Sequence, residues 1–224
     1  MCNAVCGGGG RPGPVVVQIP RDVSSMDTAS TIPTPAARAP HEPDAALVDK
    51  AVAMIDGAKA PLVVAGEMIS NQNAADALTK FAAAAGLPVM SAYRRLDVMA
   101  NSHDCYAGHL EINRFENQLE AIDQSDLIIA IGTRLDGITS ADETMFCTGK
   151  PLIHIYPEAD ILARFESDVA LDADMEAALA ALTAKLSPPD TARSVRTTEL
   201  HTSFLAFSQP GNFTAYGDVD LARV

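Results

Sequence analysis

The sequence predicts an α/β fold, in which a doubly wound parallel sheet of about six strands carries helices on both faces. Two observations predict it. Short apolar runs without polar residues, each bounded by proline or glycine, are typical of strands buried on both faces of a parallel sheet. These runs alternate along the chain with segments whose apolar residues recur at helical spacing, as in strand–helix–strand units with right-handed crossovers.

The predicted elements follow one another in a regular series. A helix begins behind Pro43, which is placed at its first position, and Gly57 ends it. Gly86 is placed as the C-terminal cap of the next helix, and residues 103–109 are placed in a long loop. The predicted strands are 61–66, 88–91, 127–132, 152–155 and 169–171, and the helices lie around 44–57, 74–86, 115–122, 159–165 and 175–186.

Two connecting segments bound this series. Residues 13–20 contain a run of β-branched residues bounded by prolines. This run predicts a short buried strand with no helix following it. Residues 24–43 are rich in Ser, Thr, Ala and Pro and predict an irregular linker. A second linker is predicted at 188–215, which opens on two prolines and a polar stretch. The α/β domain is therefore placed at residues 44–187.

Composition restricts the class of partner. The formal net charge of −13 argues against nucleic acid and anionic membrane surfaces, because binding to them depends on Lys and Arg. Apolar residues make up 48% and charged residues 20% of the chain, as is usual for folded globular proteins. No apolar run approaches the roughly 20 residues that cross a bilayer, and the N-terminus lacks the layout of a signal peptide, so we expect a cytoplasmic protein.

Candidate ligand residues follow two of the predicted strands. Ligands bind at the carboxyl ends of strands in an open parallel sheet, so the places to search are the loops that begin at Gly66, Ser91, Gly132 and Tyr156. Arg134 could pair with a phosphate and Asp136 with a hydroxyl, and the candidate cofactor contacts are Gly66, Gly132, Arg134 and Asp136. The alternative is that Arg134 and Asp136 hold the loop or a subunit interface. The loop at Gly66 has one glycine where a dinucleotide fold has GxGxxG.

The sequence shows no self-contained set of catalytic residues or metal ligands. His154 lies inside a predicted strand, where a lone histidine is more often a satisfied core residue than a catalyst. The four cysteines are too few and too scattered for a disulfide scaffold, and no Cys/His pairs stand at zinc-site spacing. Free thiols, no catalytic residue and no metal site are therefore expected.

Three stretches together resemble a known superfamily. They are GRPGPV at 10–15, the series from SAYRRLD at 91–97 to YAG at 106–108, and SDLIIAIGTRL at 125–135. In this order and spacing they resemble thiamine-diphosphate-dependent enzymes of the acetolactate synthase and benzoylformate decarboxylase type. The resemblance covers residues 10 to about 186 and implies the Rossmann-like central domain of such an enzyme.

The resemblance also implies what lies around this domain. Residues 1–23 resemble the tail of a pyrimidine-binding domain, and residues 216–224 resemble the start of a diphosphate-binding domain. Thiamine diphosphate and magnesium are implied for the intact enzyme, but the activating glutamate and the GDG…NN motif of the family are not found in this sequence. We therefore expect a spacer domain that is inactive alone and whose partners are the other domains and subunits of a homo-oligomer.

Nucleotide binding is the alternative function. Some members of the superfamily bind FAD or ADP in the central domain through a GGG loop and an arginine-aspartate loop. This sequence keeps Arg134 and Asp136 but has a single glycine, Gly66, at the first place. A free-standing module that binds FAD, ADP or NAD therefore stays open as the rival of the spacer domain.

Overall fold

The computed structural model describes residues 16–29, 39–112, 114–142, 146 and 149–209. Its strands are β1 (Pro61–Ala65), β2 (Val89–Ser91), β3 (Tyr106–His109), β4 (Leu127–Ile131), β5 (Leu152–Ile155) and β6 (Val169–Leu171). They form one parallel sheet in the order β3-β2-β1-β4-β5-β6. The predicted doubly wound parallel sheet is confirmed.

The helices alternate with these strands along the described part of the chain. They are α1 (Ala45–Gly57), α2 (Glu67–Asn71), α3 (Ala75–Ala85), α4 (Glu116–Asp123), α5 (Gly137–Ser140), α6 (Ala159–Leu162), α7 (Met175–Thr183) and α8 (Thr191–Phe207). A 3₁₀ turn spans Val23–Ser25. None of the helices in the described residues combines the length and the apolar character needed to span a bilayer.

The sheet separates two apolar cores. Val63 and Ile129 point into the larger core, which also contains side chains of α1, α3 and α7. Their neighbours Val64 and Ile128 point into the smaller core with side chains of α4. Every residue of β1 and β4 is buried, which confirms that these runs form strands covered on both faces.

Local sequence signals determine where two helices begin and end. The Asp44 carboxylate accepts hydrogen bonds from two backbone N–H groups of the first turn of α1, at 2.9 and 3.0 Å. The helix therefore begins at Ala45, and placing Pro43 at its first position was wrong. At the end of α3, Gly86 has a φ of 60°, and this left-handed residue is the predicted C-terminal cap.

The strand predicted at residues 13–20 is wrong for the part that the structure describes. Residues 16–20 have no strand conformation and all are exposed, Val16 by 93% and Ile19 by 64%. Their β-branched side chains favour extended backbone, but a strand also needs a neighbour that takes its hydrogen bonds. Residues 13–15 lie outside the described residues.

The stretch predicted as a long loop contributes the edge strand β3. Tyr106 lies opposite Val89, and His109 lies opposite Ser91 after an irregularity in the register. Gly108 has a φ of 104° inside this strand, so the regular alternation of side chains is interrupted there. The short and irregular strand explains why no apolar alternation marks it in the sequence.

The linker predicted at 188–215 contains the longest described helix, α8, which corrects the prediction of irregular structure there. The Asp190 carboxylate caps its first turn by accepting a hydrogen bond from the Arg193 backbone at 2.7 Å. Residues 210–215 lie outside the described residues, and the position of the domain boundary stays a prediction.

Helix α8 is fastened to the domain by the buried guanidinium of Arg193. This side chain donates to the carbonyl oxygens of Ile55 at 2.9 Å and Ala58 at 2.6 Å, at the end of α1. It also reaches the Ala85 carbonyl oxygen at 3.4 Å, at the end of α3. Carbonyl groups at a helix end lack partners within the helix, and a cation there is stabilised by the helix dipole.

The other two fully buried residues of α8 are also polar. The Thr197 hydroxyl donates to the Gly86 carbonyl oxygen at 2.7 Å, and His201 Nδ1 lies 2.7 Å from the Tyr106 carbonyl oxygen. Since a carbonyl oxygen can only accept, this nitrogen of His201 carries the proton. The helix is therefore held on the ends of α1 and α3 and on β3 by side chains that satisfy backbone carbonyls.

Replacing Arg193 should destabilise the domain strongly. Arg193→Met keeps an apolar stem but leaves the Ala58 carbonyl group without its donor and the Ile55 carbonyl group with only the Ala58 N–H at 3.3 Å, so we expect a loss of about 2–4 kcal/mol in the free energy of unfolding. Urea denaturation followed by circular dichroism measures it. Lys185→Met is the matched control, because it removes a cation from an exposed pair with Asp49 and should cost less than about 1 kcal/mol. Equal losses in the two variants would contradict the role of Arg193.

Candidate functional site

The winding of the sheet reverses between β1 and β4, which lie side by side at its centre. In open α/β sheets this point forms a crevice at the carboxyl ends of the strands, where ligands bind. The crevice of this chain lies between the loop that begins at Gly66 and the loop that begins at Gly132. The structure therefore brings Gly66, Gly132 and Arg134 to one place, and Asp136 follows two residues later.

Backbone contacts draw the two loops of the crevice together. The Gly66 N–H donates to the Ile131 carbonyl oxygen, and the Met68 N–H donates to the Gly132 carbonyl oxygen, both at 2.9 Å. A Cβ atom on Gly66 would lie 2.5 Å from the Thr133 Cβ. Gly66 therefore permits a close approach of the neighbouring loop that any side chain at this position would prevent.

An ion pair bridges the same crevice. Arg134 Nε lies 3.0 Å from Glu67 Oε1, although its N–H is not directed at that oxygen, so the contact is electrostatic rather than a well-aligned hydrogen bond. The Tyr156 hydroxyl, at the end of β5, donates to the same oxygen at 3.0 Å. The Glu67 side chain is 14% exposed and that of Arg134 is 38% exposed. Loops after β1, β4 and β5 are thereby joined through one carboxylate.

Asp136 has a local partner as well. Its carboxylate accepts a hydrogen bond from the Thr139 N–H at 3.1 Å and so caps the short helix α5. Its other oxygen lies 3.8 Å from Arg134 Nη2. Arg134 and Asp136 thus have partners within the loop region, as the loop-holding alternative predicts, and their role as cofactor contacts stays a prediction.

His154 is buried in β5 beside this crevice. Its Nε2 lies 2.9 Å from the Thr133 carbonyl oxygen, and its Nδ1 has no hydrogen-bond partner in the described residues. Burial lowers the pKa of His154 below its ordinary value, and the bond to Thr133 offsets part of that effect. The ring is therefore neutral at pH 7 and acts as a core residue that fixes the loop after β4.

The described residues contain no group of three or more His, Cys, Asp and Glu side chains placed to share a metal ion. Cys105 is buried, and burial followed by the nearby Asp104 charge raises the pKa of its thiol to about 11. A thiol with so high a pKa is a poor nucleophile at pH 7. Cys2, Cys6 and Cys147 lie outside the described residues.

Sequence reasoning located the loop that begins at Tyr156, but it assigned no role to Tyr156 or to Glu67. Each follows the end of a buried strand directly, Glu67 two residues after β1 and Tyr156 immediately after β5. Since the carboxyl ends of parallel strands lie at one edge, a polar residue at each of these places was a signal that they could meet. Their pairing with Arg134 depends on loop conformation, which apolar periodicity does not report.

Comparison with known proteins assigns this fold and crevice to a family. Residues 48–182 match the family described as "Thiamine pyrophosphate enzyme, central domain". The chain belongs to this family. The stretches at 91–108 and 125–135 lie inside the match, and the prediction of a central domain of thiamine-diphosphate enzymes is confirmed.

Relatives of this thiamine pyrophosphate enzyme domain are larger proteins. The acetolactate synthase large subunit of Corynebacterium glutamicum is 32% identical over 149 residues, which cover 65% of this chain and 24% of that protein. Glyoxylate carboligase of Escherichia coli is 29% identical over 183 residues, 77% of this chain and 30% of that protein. The chain spans about a quarter to a third of the length of these relatives.

A solved structure shows the same fold. Benzoylformate decarboxylase from Polynucleobacter necessarius superposes with a TM-score of 0.59 at 21% identity, covering 80% of this chain and 32% of that chain. At this identity the likeness concerns the fold alone. The six-stranded parallel sheet is thus shared with a decarboxylase whose chain is about three times as long as the matched part.

At the crevice of this family member, Arg134 is not free to pair with a diphosphate or a nucleotide phosphate, because Glu67 Oε1 lies 3.0 Å from its Nε. The carboxylates of Glu67 and Asp136 are each held by a neighbouring donor rather than grouped as magnesium ligands.

His154 should make stability depend on pH. Its pKa is lower in the folded than in the unfolded chain, so below about pH 6.5 the unfolded chain takes up a proton that the folded chain refuses. The contribution of neutral His154 to the free energy of unfolding is therefore complete above about pH 6.5. As the pH falls towards the pKa of the folded chain, this contribution declines by up to about 1.4 kcal/mol per pH unit. Urea denaturation between pH 8 and pH 5 measures the slope. His154→Gln should have a shallower slope, and identical slopes would contradict this account.

Gly66 should tolerate no side chain. Gly66→Ala places Cβ 2.5 Å from Thr133 Cβ and 2.8 Å from the Gly132 carbonyl oxygen, so the two loops must separate. We expect a loss of about 1–3 kcal/mol in the free energy of unfolding by thermal or urea denaturation. Gly57→Ala is the matched control, because nothing lies within 4 Å of its added Cβ, and its change should stay within about 1 kcal/mol. A Gly66→Ala protein as stable as the control would refute the close approach.

Proposed function

We propose that this chain is the central, non-catalytic domain of a thiamine-diphosphate-dependent enzyme that decarboxylates a 2-keto acid or transfers the resulting acyl group, as a lyase or a transferase. The observation that carries the proposal is the crevice between β1 and β4, which Glu67, Arg134 and Tyr156 close with contacts among themselves. A domain with a closed ligand edge suits a spacer that connects two cofactor-binding domains.

The relatives support a role that does not depend on one reaction. Their names are those of a synthase, a carboligase and a decarboxylase, yet each contains a region similar to this chain. In enzymes of this kind thiamine diphosphate supplies the carbanion chemistry, with magnesium as the counter-ion of its diphosphate, while the protein positions the cofactor. The catalytic groups of the intact enzyme then belong to its other domains.

The residues of this chain contribute rigidity to that arrangement. Buried strands β1 and β4 and the Arg193 contacts make the sheet and its flanking helices, including α8, one packed body. Such a body sets the distance between the domains on either side of it. The other domains and subunits of the enzyme are its proposed partners, and a cytoplasmic location and a homo-oligomeric state stay predictions.

The rival function is a free-standing module that binds FAD, ADP or NAD. Its support is the position of the crevice at the reversal of strand order, where α/β sheets bind nucleotides. The closed geometry around Gly66 and Arg134 favours the spacer domain instead.

The purified chain should neither turn over a keto acid nor retain the cofactor. With thiamine diphosphate, magnesium and pyruvate, glyoxylate or benzoylformate, we expect no release of carbon dioxide above the protein-free blank, because the described residues group no metal ligands and Arg134 already faces Glu67. Isothermal titration calorimetry should show no saturable binding of thiamine diphosphate. The Corynebacterium glutamicum acetolactate synthase large subunit serves as the positive control for pyruvate.

Each proposal has its own contradicting result. Turnover of a keto acid by the purified chain would overturn the non-catalytic role. Equilibrium dialysis against FAD, ADP and NAD at about millimolar concentration should show no saturable binding. Saturable binding that disappears in Arg134→Ala would instead establish the nucleotide-binding module at the crevice.

A further inference from the structure

The crevice between β1 and β4 contains a cation that faces an anion of the same chain. Arg134, from the β4 side, has a planar guanidinium suited to phosphate and carboxylate groups. Glu67, from the β1 side, places Oε1 3.0 Å from Arg134 Nε. The two charges thus meet across the position that the topology reserves for a ligand.

Glu67 is held in this position independently of Arg134. The Tyr156 hydroxyl donates to the same carboxylate oxygen at 3.0 Å, and the Glu67 side chain is 14% exposed. A carboxylate with a fixed donor and little contact with water keeps its place at small entropic cost. Arg134 is 38% exposed, so an anion from solvent could reach it if Glu67 were neutral.

We infer that Glu67 excludes phosphate-bearing ligands from the crevice, because its carboxylate oxygen lies 3.0 Å from Arg134 Nε and offsets the charge of the guanidinium. The exclusion has two parts. Glu67 neutralises the guanidinium, and its own charge repels an incoming phosphate at short range. Asp136 adds a weaker contact to Arg134 at 3.8 Å, with its other oxygen held by the Thr139 N–H.

The inference is distinct from the proposed function, because it names the residue that selects against a class of ligand. It follows that neutralising Glu67 should open an anion site without changing the sheet. Glu67→Gln keeps the size of the side chain and a carbonyl oxygen that accepts from Tyr156. A charge-assisted contact of Arg134 with phosphate oxygens should raise the affinity at least about tenfold.

The test uses inorganic pyrophosphate as the probe, measured by isothermal titration calorimetry on the full chain at low salt, where screening is weakest. The wild-type chain should show no saturable binding and Glu67→Gln should show saturable binding. Glu111→Gln is the matched control, because it removes the same charge from the loop after β3, where Glu111 lies 3.4 Å from His109. This control should behave as the wild type. In Glu67→Gln combined with Arg134→Gln the gain should be lost.

Three results would overturn the inference. They are wild-type binding as tight as that of Glu67→Gln, no gain in a Glu67→Gln protein with wild-type circular dichroism, and a gain that persists without Arg134. If Glu67→Gln fails to fold, Tyr156→Phe tests the same point, because it loosens the hold on Glu67 and should give a smaller gain in the same direction. Absence of that gain would equally count against the inference. Turnover of a keto acid would remove the proposed function and leave this result unaffected.

Discussion

The parallel pairing of β1 with β4 is the constraint on which the rest of the molecule depends. Five residues of each strand are in register, from Pro61 opposite Leu127 to Ala65 opposite Ile131. Parallel neighbours cannot be joined by a tight turn, so each crossover lays helices on a face of the sheet and both faces become apolar. The same pairing places two loops side by side at one edge, and their chemistry decides whether a ligand can enter.

In this chain the edge is occupied by its own groups. Thr133 fills the space beside Gly66, and the carboxylate of Glu67 faces Arg134. The Tyr156 hydroxyl joins the end of β5 to them. These contacts offset the charge of Arg134 at an edge where other α/β sheets bind ligands.

The sequence predicted the elements whose buried residues are apolar and regularly spaced. The prediction failed where the buried residues are polar, or where loop conformation decides which side chains meet. β1 and β4 are apolar throughout, so their burial on both faces could be predicted from the sequence. The fully buried residues of helix α8 are instead Arg193, Thr197 and His201. Because these residues are polar, the sequence pattern there is typical of a linker rather than of a packed helix. The loops at Gly66 and Gly132 were located correctly because strand ends fix them, but the Glu67 partner of Arg134 depends on loop conformation and could not be predicted.

The polar contacts that hold α8 against α1 and α3 determine how much of the chain must be kept when this domain is transferred to another protein. The family match ends at residue 182, eight residues before the cap of α8 at Asp190. A graft cut at that match would strip the ends of α1 and α3 of the guanidinium that covers their carbonyl groups. Transplantation into another enzyme should therefore carry the chain through Phe207, since the match to the family ends before the helix that covers those carbonyl groups.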